Sequence, residues 1–273
     1  MRCGSARGWA VGSYHTRYES YLSHYGAGLL AGPLAGHIRR FYDACREVYV
    51  PSPSMAEALQ QTGVGSDIRL WGRGVDAQRF NPAKRSQAWR AARGVGPDEL
   101  VVAYVGRVVR EKRIGVFAKA MLELEARGLP HRVLVVGDGP DRAGLQARLP
   151  RAVFTGFLDG EELATAYASA DLFVFPSDTE TFGSVTLEAM ASGLPTLCAN
   201  ATGSRSLVDH EVTGFLEDAG DAAAFAGRIQ ALAANPGRRA DMGEAARRRS
   251  LDYGWDEVLG SLLDRYEAVA AAA

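Results

Sequence analysis

From residue 100 onward the chain is written in short apolar runs separated by amphipathic stretches. Residues 100–106, 132–137, 152–156, 172–176, 195–199 and 214–216 are rich in Val, Leu, Phe and Ala, and most of them end in Gly or Pro. Runs of that length with no polar alternation predict strands buried on both faces, as in a parallel sheet. The stretches between them, 114–126, 141–149, 161–169 and 185–191, carry helical periodicity, and Gly128 and Pro130 stop the first of these. Strand and helix alternate with short connections, which predicts a parallel sheet covered by helices on both faces. Right-handed crossovers then bring the strand C-terminal ends to one edge, where ligands of such sheets bind.

The first hundred residues are less regular. Residues 9–15 predict a strand running into a loop, 18–25 and 34–44 helices, 47–52 a strand, 55–62 a helix and 68–71 another strand. Three strands are too few for a complete doubly wound domain. Residues 72–97, rich in Gly, Asn and Pro, read as a linker with one helix in it. The expected division is a partial N-terminal domain and linker over 1–97, a second domain over 98–254, and a C-terminal helix over 255–273 that packs back on the first domain.

Composition narrows the function classes. A net charge of -1 over 273 residues gives no pull toward nucleic acid. Cys3, Cys45 and Cys198 are odd in number and far apart, so neither a disulfide framework nor a metal spacing follows, and a reducing cytoplasm is expected. Cys45 and Cys198 read as small buried hydrophobes. No apolar run approaches the roughly 20 residues of a membrane span. A soluble protein, or one peripheral at the inner face of a membrane, is expected.

Three features follow consecutive strands. Gly106 leaves the first strand, and Arg107 and Lys112 bring two cations to the mouth of the sheet where a helix begins; a diphosphate is the natural ligand. Gly137-Asp138-Gly139 is a tight strand-to-helix turn, a weaker signal. The strongest is residues 175–195, in which Glu180 in a loop and Glu188 in the following helix stand eight positions apart. The helix start between them offers free N–H groups to a phosphate, and each carboxylate can accept from two sugar hydroxyls. Leu187, Ala189 and Met190 around Glu188 predict a largely buried helix, and a buried carboxylate needs partners.

This segment resembles the E-x7-E signature of the family 4 retaining glycosyltransferases, which have the GT-B fold of two facing, doubly wound, Rossmann-like domains. Residues 106–112 resemble their G-R-x-x-x-x-K element, 193–195 the turn after their signature helix, and 73–82 their G-V-D-x-x-x-F-x-P hinge. The resemblance implies that Gly106, Arg107 and Lys112 hold the donor diphosphate and that Glu188 binds the ribose. Glu180 would hold the transferred sugar, with backbone contacts from Phe182, Gly183, Ser184 and Val185. The turn at Gly137 and Asp138 is itself a candidate donor contact, and the resemblance places Phe157 and Leu158 near the base. Ser13-Tyr14-His15-Thr16 resembles the acceptor-side loop of the mannosyl and lipid-glycosylating members, which puts His15 at the interdomain cleft. The Thr-Gly-Ser-Arg stretch at 202–205 resembles a bacterial subset with GDP-mannose or similar donors.

The implied function is a retaining hexosyltransferase: a nucleotide diphosphate sugar as donor, GDP-mannose ahead of a UDP-sugar, no cofactor and no metal, and a lipid or saccharide acceptor. Tyr14, Tyr18, Tyr21, Tyr25, Arg39 and Arg40 suggest an amphipathic acceptor face. The opening strand and Gly-rich turn of the family's first domain are not found, so the chain is expected to begin about halfway through that domain. A truncated or non-catalytic nucleotide-sugar-binding protein is the principal rival. An epimerase of the same fold is disfavoured by the spacing of Glu180 and Glu188, and an oxidoreductase by the lack of a G-x-G-x-x-G turn after residue 105.

Overall fold

The computed structural model describes residues 10–16, 29 and 31–271. The expected helix over 18–25, Trp9, Cys3, and Tyr18, Tyr21 and Tyr25 lie outside the described residues. Two parallel sheets form two lobes. The first sheet is β1 (Val11–Ser13), β2 (Glu47–Val50) and β3 (Asp67–Leu70), in that order across the sheet. Its helices are α1 (Ala31–Tyr42) and α2 (Pro53–Gln61). Helix α1 begins earlier than the periodicity predicts because Pro33 fits a first turn, where its missing N–H has no carbonyl to meet. Strand β2 is wholly buried between its neighbours. Tyr14, Tyr42, Val48, Val50, Met55 and Leu59 form the core of this lobe.

Tyr14 corrects an expectation. It is not on an acceptor-facing surface but 2% exposed, with its ring edge-on to Tyr42 at 5.4 Å. Tyr42 in turn donates to the Ser13 carbonyl at 2.9 Å. Of the two cations grouped with it, Arg39 pairs with Asp43 on the exposed side of α1.

The chain then runs through a short helix α3 (Gln87–Ala91) into the second lobe. There follow β4 (Val101–Val105), α4 (Ile114–Ala126), β5 (Arg132–Val136), α5 (Arg142–Arg148), β6 (Val153–Gly156), α6 (Gly160–Ala168), β7 (Leu172–Phe175), α7 (Ser184–Ala191), β8 (Thr196–Ala199), α8 (Ser204–Leu207) and β9 (Gly214–Glu217). Helices α9 (Ala222–Ala234), α10 (Pro236–Ser250) and α11 (Trp255–Ala271) follow. The strand order is β6-β5-β4-β7-β8-β9, all parallel. The chain winds outward from β4 to β6 and returns to β7 on the other side of β4. The loops after β4 and β7 therefore diverge at a topological switch point, where a crevice opens.

Segment 82–97 is fastened to the second lobe. Arg85 donates to the carbonyls of Ala168 and Ala170, and Arg90, 1% exposed, donates to those of Ser169, Gly96 and Glu99. The chain crosses between lobes twice at one place: Val75 bridges Gly254 in parallel, with the Val75 N–H on the Tyr253 carbonyl at 2.8 Å. Helix α11 returns to the first sheet, where Arg265 pairs with the buried Glu47 at 2.6 Å and Tyr266 packs on Tyr49. Among the described residues, no helix is long and apolar enough to cross a membrane. Cys45 and Cys198 are free thiols, Cys198 fully buried and Cys45 half-buried.

Candidate active site

The loop after β4 is shaped from beneath and from the side. Tyr104, buried in the sheet, donates to the Arg107 carbonyl at 2.8 Å. The turn after β5 lies directly against it, with the Val108 N–H on the Asp138 carbonyl at 2.9 Å. A Cβ at Gly137 would stand 2.0 Å from the Gly106 carbonyl oxygen, and one at Gly139 2.3 Å from that of Val108. The glycines thus let two backbones touch. The Asp138 carboxylate receives the Gly139 N–H at 2.7 Å and Arg142 at 2.9 Å, and these donors lower its pKa, the Gly139 amide most. Arg107 is exposed, and among the described residues no hydrogen bond or ion pair engages its guanidinium.

The loop after β7 faces this one. Lys112 is ion-paired with Glu180 and also donates to Thr179 Oγ1 at 3.3 Å, while Arg113 pairs with Asp178, so two cations staple the two loops together. Ser177 adds a hydrogen bond to Glu180 at 3.1 Å. Gly183 caps α7 at a left-handed φ of 96°. The first-turn amides of α7 are those that no helical carbonyl can reach.

Glu188 projects from the second turn of α7 toward Tyr167 of α6. The Tyr167 hydroxyl donates to Glu188 Oε2 at 3.0 Å and lies 3.2 Å from the Val185 carbonyl. Burial pushes Glu188 up to about 7, against the pull of the Tyr167 hydrogen bond. The far end of α7 is held by Arg247 of α10, which donates to the carbonyls of Ala191, Phe80 and Ala77 at 2.6, 2.7 and 2.8 Å.

From the first lobe comes His15, just beyond β1. Its ring stands edge-on to Trp71 at 5.2 Å, and both ring nitrogens are buried with no hydrogen-bond partner among the described residues. Burial, then the nearby Arg73 charge, lowers its pKa, so the ring is neutral at pH 7.

A cleft of about 600 Å³ joins these elements. His15, Phe157, Leu158, Glu180, Phe182, Gly183, Ser184, Val185 and Glu188 all line it. Gly106, Arg107, Lys112, Gly137 and Asp138 do not; Lys112 reaches its edge through Glu180. Sequence reasoning missed Tyr167, Trp71 and Arg73. No local pattern marks Tyr167 as the partner of a carboxylate 21 positions on. The donors and carboxylates of this cleft can hold a polyhydroxylated ligand with an anionic end. Among the described residues, no three His, Cys, Asp or Glu side chains group so as to hold a metal ion.

Two parallel α/β lobes facing one another across a cleft at the switch point of the second define a GT-B architecture. The family described as "Glycosyl transferases group 1" matches residues 85–249, and "Glycosyltransferase Family 4" matches 3–79. The chain belongs to the group 1 glycosyl transferases, in agreement with the resemblance read from its motifs. It is 37% identical over 254 residues to a sulfoquinovosyl transferase of Arabidopsis thaliana, covering 90% of this chain and 49% of that protein. It is 38% identical over 261 residues to a GDP-mannose-dependent alpha-mannosyltransferase of Mycobacterium tuberculosis, covering 95% of this chain and 66% of that one. The chain thus spans from about half to about two thirds of the length of these relatives. Among solved structures, sucrose-phosphate synthase from Thermosynechococcus elongatus superposes with a TM-score of 0.83 at 27% identity, over 96% of this chain and 68% of that one.

Proposed function

We propose that this chain carries the donor site, and one wall of the acceptor site, of a retaining hexosyltransferase that uses a nucleotide diphosphate sugar. The observation that carries the reading is the convergence of Glu180, Glu188 and the start of α7 on one cleft, opposite His15. Glu188 accepts from the donor ribose, and Tyr167 fixes its rotamer. Glu180 and the backbone of 182–184 hold the hexose. Arg107, Lys112 and the first turn of α7 stabilise the charge that grows on the diphosphate as it leaves. The C1–O bond to the β-phosphate breaks with its electron pair going to the diphosphate. The acceptor oxygen bonds C1 on the same face and passes its proton to the departing phosphate oxygen.

Mannose from GDP-mannose is the favoured donor, supported by the mannosyltransferases at 36 to 38% identity and by the Thr-Gly-Ser-Arg stretch. The sulfoquinovosyl transferase at 37% supports a second reading with a different hexose donor. A glycolipid acceptor, met at the cytoplasmic face of a membrane, fits the mannosyl and lipid-glycosylating members that the His15 loop resembles. Calorimetric titration with GDP, UDP, GDP-mannose and UDP-glucose tests the assignment. One base family is expected to bind, and Glu188→Ala to abolish that binding. A folded chain that binds none of the four overturns it.

A further inference from the structure

The first lobe reaches across the cleft and touches the Glu180 loop from behind. Ser52 caps α2, accepting the Met55 N–H at 3.3 Å, and donates to the carbonyl of Thr181 at 2.7 Å. Ser54, two residues on, lies 3.2 Å from Ser52 Oγ and 2.8 Å from Ser206 Oγ in α8. Its hydroxyl receives the Gly203 N–H at 3.2 Å, and its own N–H donates to Ser206 Oγ at 3.3 Å. Thr202 donates to the Glu180 carbonyl at 2.9 Å. Ser52 and Ser54 are 2% and 4% exposed.

Proton counting fixes the direction of this chain of hydroxyls. A carbonyl only accepts, so the single hydroxyl proton of Ser52 is committed to Thr181. Ser52 therefore accepts from Ser54, and Ser54 accepts from Ser206. The run is Ser206 to Ser54 to Ser52 to the Thr181 carbonyl, and every hydroxyl in it is satisfied. It starts in the second lobe, passes through the first, and ends on the carbonyl of Thr181, whose neighbours Glu180 and Phe182 line the cleft. Close packing leaves the loop no slack on that side: a Cβ at Gly203 would stand 2.8 Å from the Glu180 carbonyl oxygen.

We infer that Ser52 and Ser54 are positioning residues for sugar recognition. They form an interlobe hydroxyl latch that sets the Glu180–Ser184 backbone only when the lobes are closed. The inference rests on the proposed role of Glu180 toward the hexose. It makes the lobe opposite the donor a determinant of donor-sugar affinity, though no residue of α2 lines the cleft. Nucleotide affinity, which depends on Glu188 and its partner Tyr167, lies outside the latch.

Hydrogen–deuterium exchange on the full chain tests the latch without any ligand. Ser52→Ala and Ser54→Ala are expected to speed exchange of the amides in 178–184 by about tenfold, the weight of one lost neutral hydrogen bond. The β4 and β5 amides are expected to keep their rates. Ser52→Thr, which retains the hydroxyl, is expected to keep the loop protected. Glu57→Ala, which removes the exposed interlobe pair with Arg205, is expected to leave it unchanged. Should Ser52→Ala fail to fold, Ser206→Ala at the half-buried end of the run serves instead. Calorimetry with GDP against GDP-mannose, and UDP against UDP-glucose, is expected to show the alanine variants losing about tenfold in the increment the sugar adds, with nucleotide binding retained. Wild-type exchange in 178–184 of the alanine variants, or equal loss for nucleotide and nucleotide sugar, overturns the inference. If the unmodified chain binds no nucleotide sugar, the proposed function falls, and the exchange rates alone decide the latch.

Discussion

The Tyr167 hydroxyl donates to Oε2 of Glu188 at 3.0 Å, across the gap between α6 and α7. Burial nonetheless wins at this carboxyl and lifts it from 4.5 to about 7. An acid raised in the folded state binds protons more readily there than in the unfolded chain. Folding is therefore favoured by this group below about pH 4.5, and that contribution is lost as pH rises to about 7. Glu188→Gln removes the loss, with a ceiling on the order of 3 kcal/mol above pH 7. Urea unfolding of both proteins from pH 4 to 8 checks this; a difference that does not vary with pH refutes it. Tyr167→Phe removes the opposing hydrogen bond, so the loss of stability is expected to move to higher pH.

Lys112 and Glu180 each hold the other at about 15% side-chain exposure. Lys112→Ala is expected to lower kcat/KM by roughly a hundredfold or more through lost stabilisation of the leaving group. Because it also frees Glu180, the double variant with Glu180→Gln is expected to cost less than the sum of the two single changes. Additive costs measured in steady-state assays would separate the two side chains.

Arg107 is exposed, and among the described residues no hydrogen bond or ion pair holds its guanidinium. Arg107→Ala is therefore expected to leave thermal stability within about 0.5 kcal/mol of wild type, as for an exposed site, while reducing kcat/KM by at least roughly a hundredfold. A drop in melting temperature matching the drop in activity would instead assign Arg107 to the fold.

Gly137 has φ of 130°, and a Cβ there would stand 2.0 Å from the Gly106 carbonyl oxygen. Gly137→Ala must push the two backbones apart and adopt a backbone angle that alanine disfavours. A loss of roughly 3 kcal/mol or more is expected by denaturant unfolding. An alanine variant of ordinary stability would remove the architectural account of this turn.

Glu47 is 4% exposed, held by Arg265 and by the Tyr49 hydroxyl at 2.9 Å. Arg265→Ala strands the carboxylate, at an expected cost of roughly 3 kcal/mol. Adding Glu47→Gln is expected to restore some of it, because an amide needs no counterion. If the double variant unfolds no later than the single one, α11 is held by its ring and aliphatic contacts alone.

The second sheet was legible because its strands are buried on both faces, so the runs at 101–105 and 172–175 carry no polar interruption. The carboxylates at 180 and 188 were legible because their spacing spans one loop and the start of one helix. What the sequence hid is long-range. Tyr14 reads as one of a row of surface tyrosines, yet Tyr42, which encloses it, lies 28 residues away and on another element. Ser52 reads as the end of a strand and a turn, while its hydroxyl caps α2 and its other partner is 129 positions distant. The glycines at 137 and 139 look like a ligand turn, since close approach to a phosphate and close approach to another backbone select the same residue.

The pair of crossings at Val75 and Gly254 bears on how the chain acquires its shape. Strand β2 is made before the second lobe, but its buried Glu47 waits for Arg265, 218 residues later. The second lobe closes its own sheet from contiguous strands, whereas the first also depends on α11, which follows that whole lobe in the chain. Such distant pairing is slow to form. The early lobe is therefore the late one to consolidate, and nascent chains halted before α11 would expose it to proteases and to pairing with other chains.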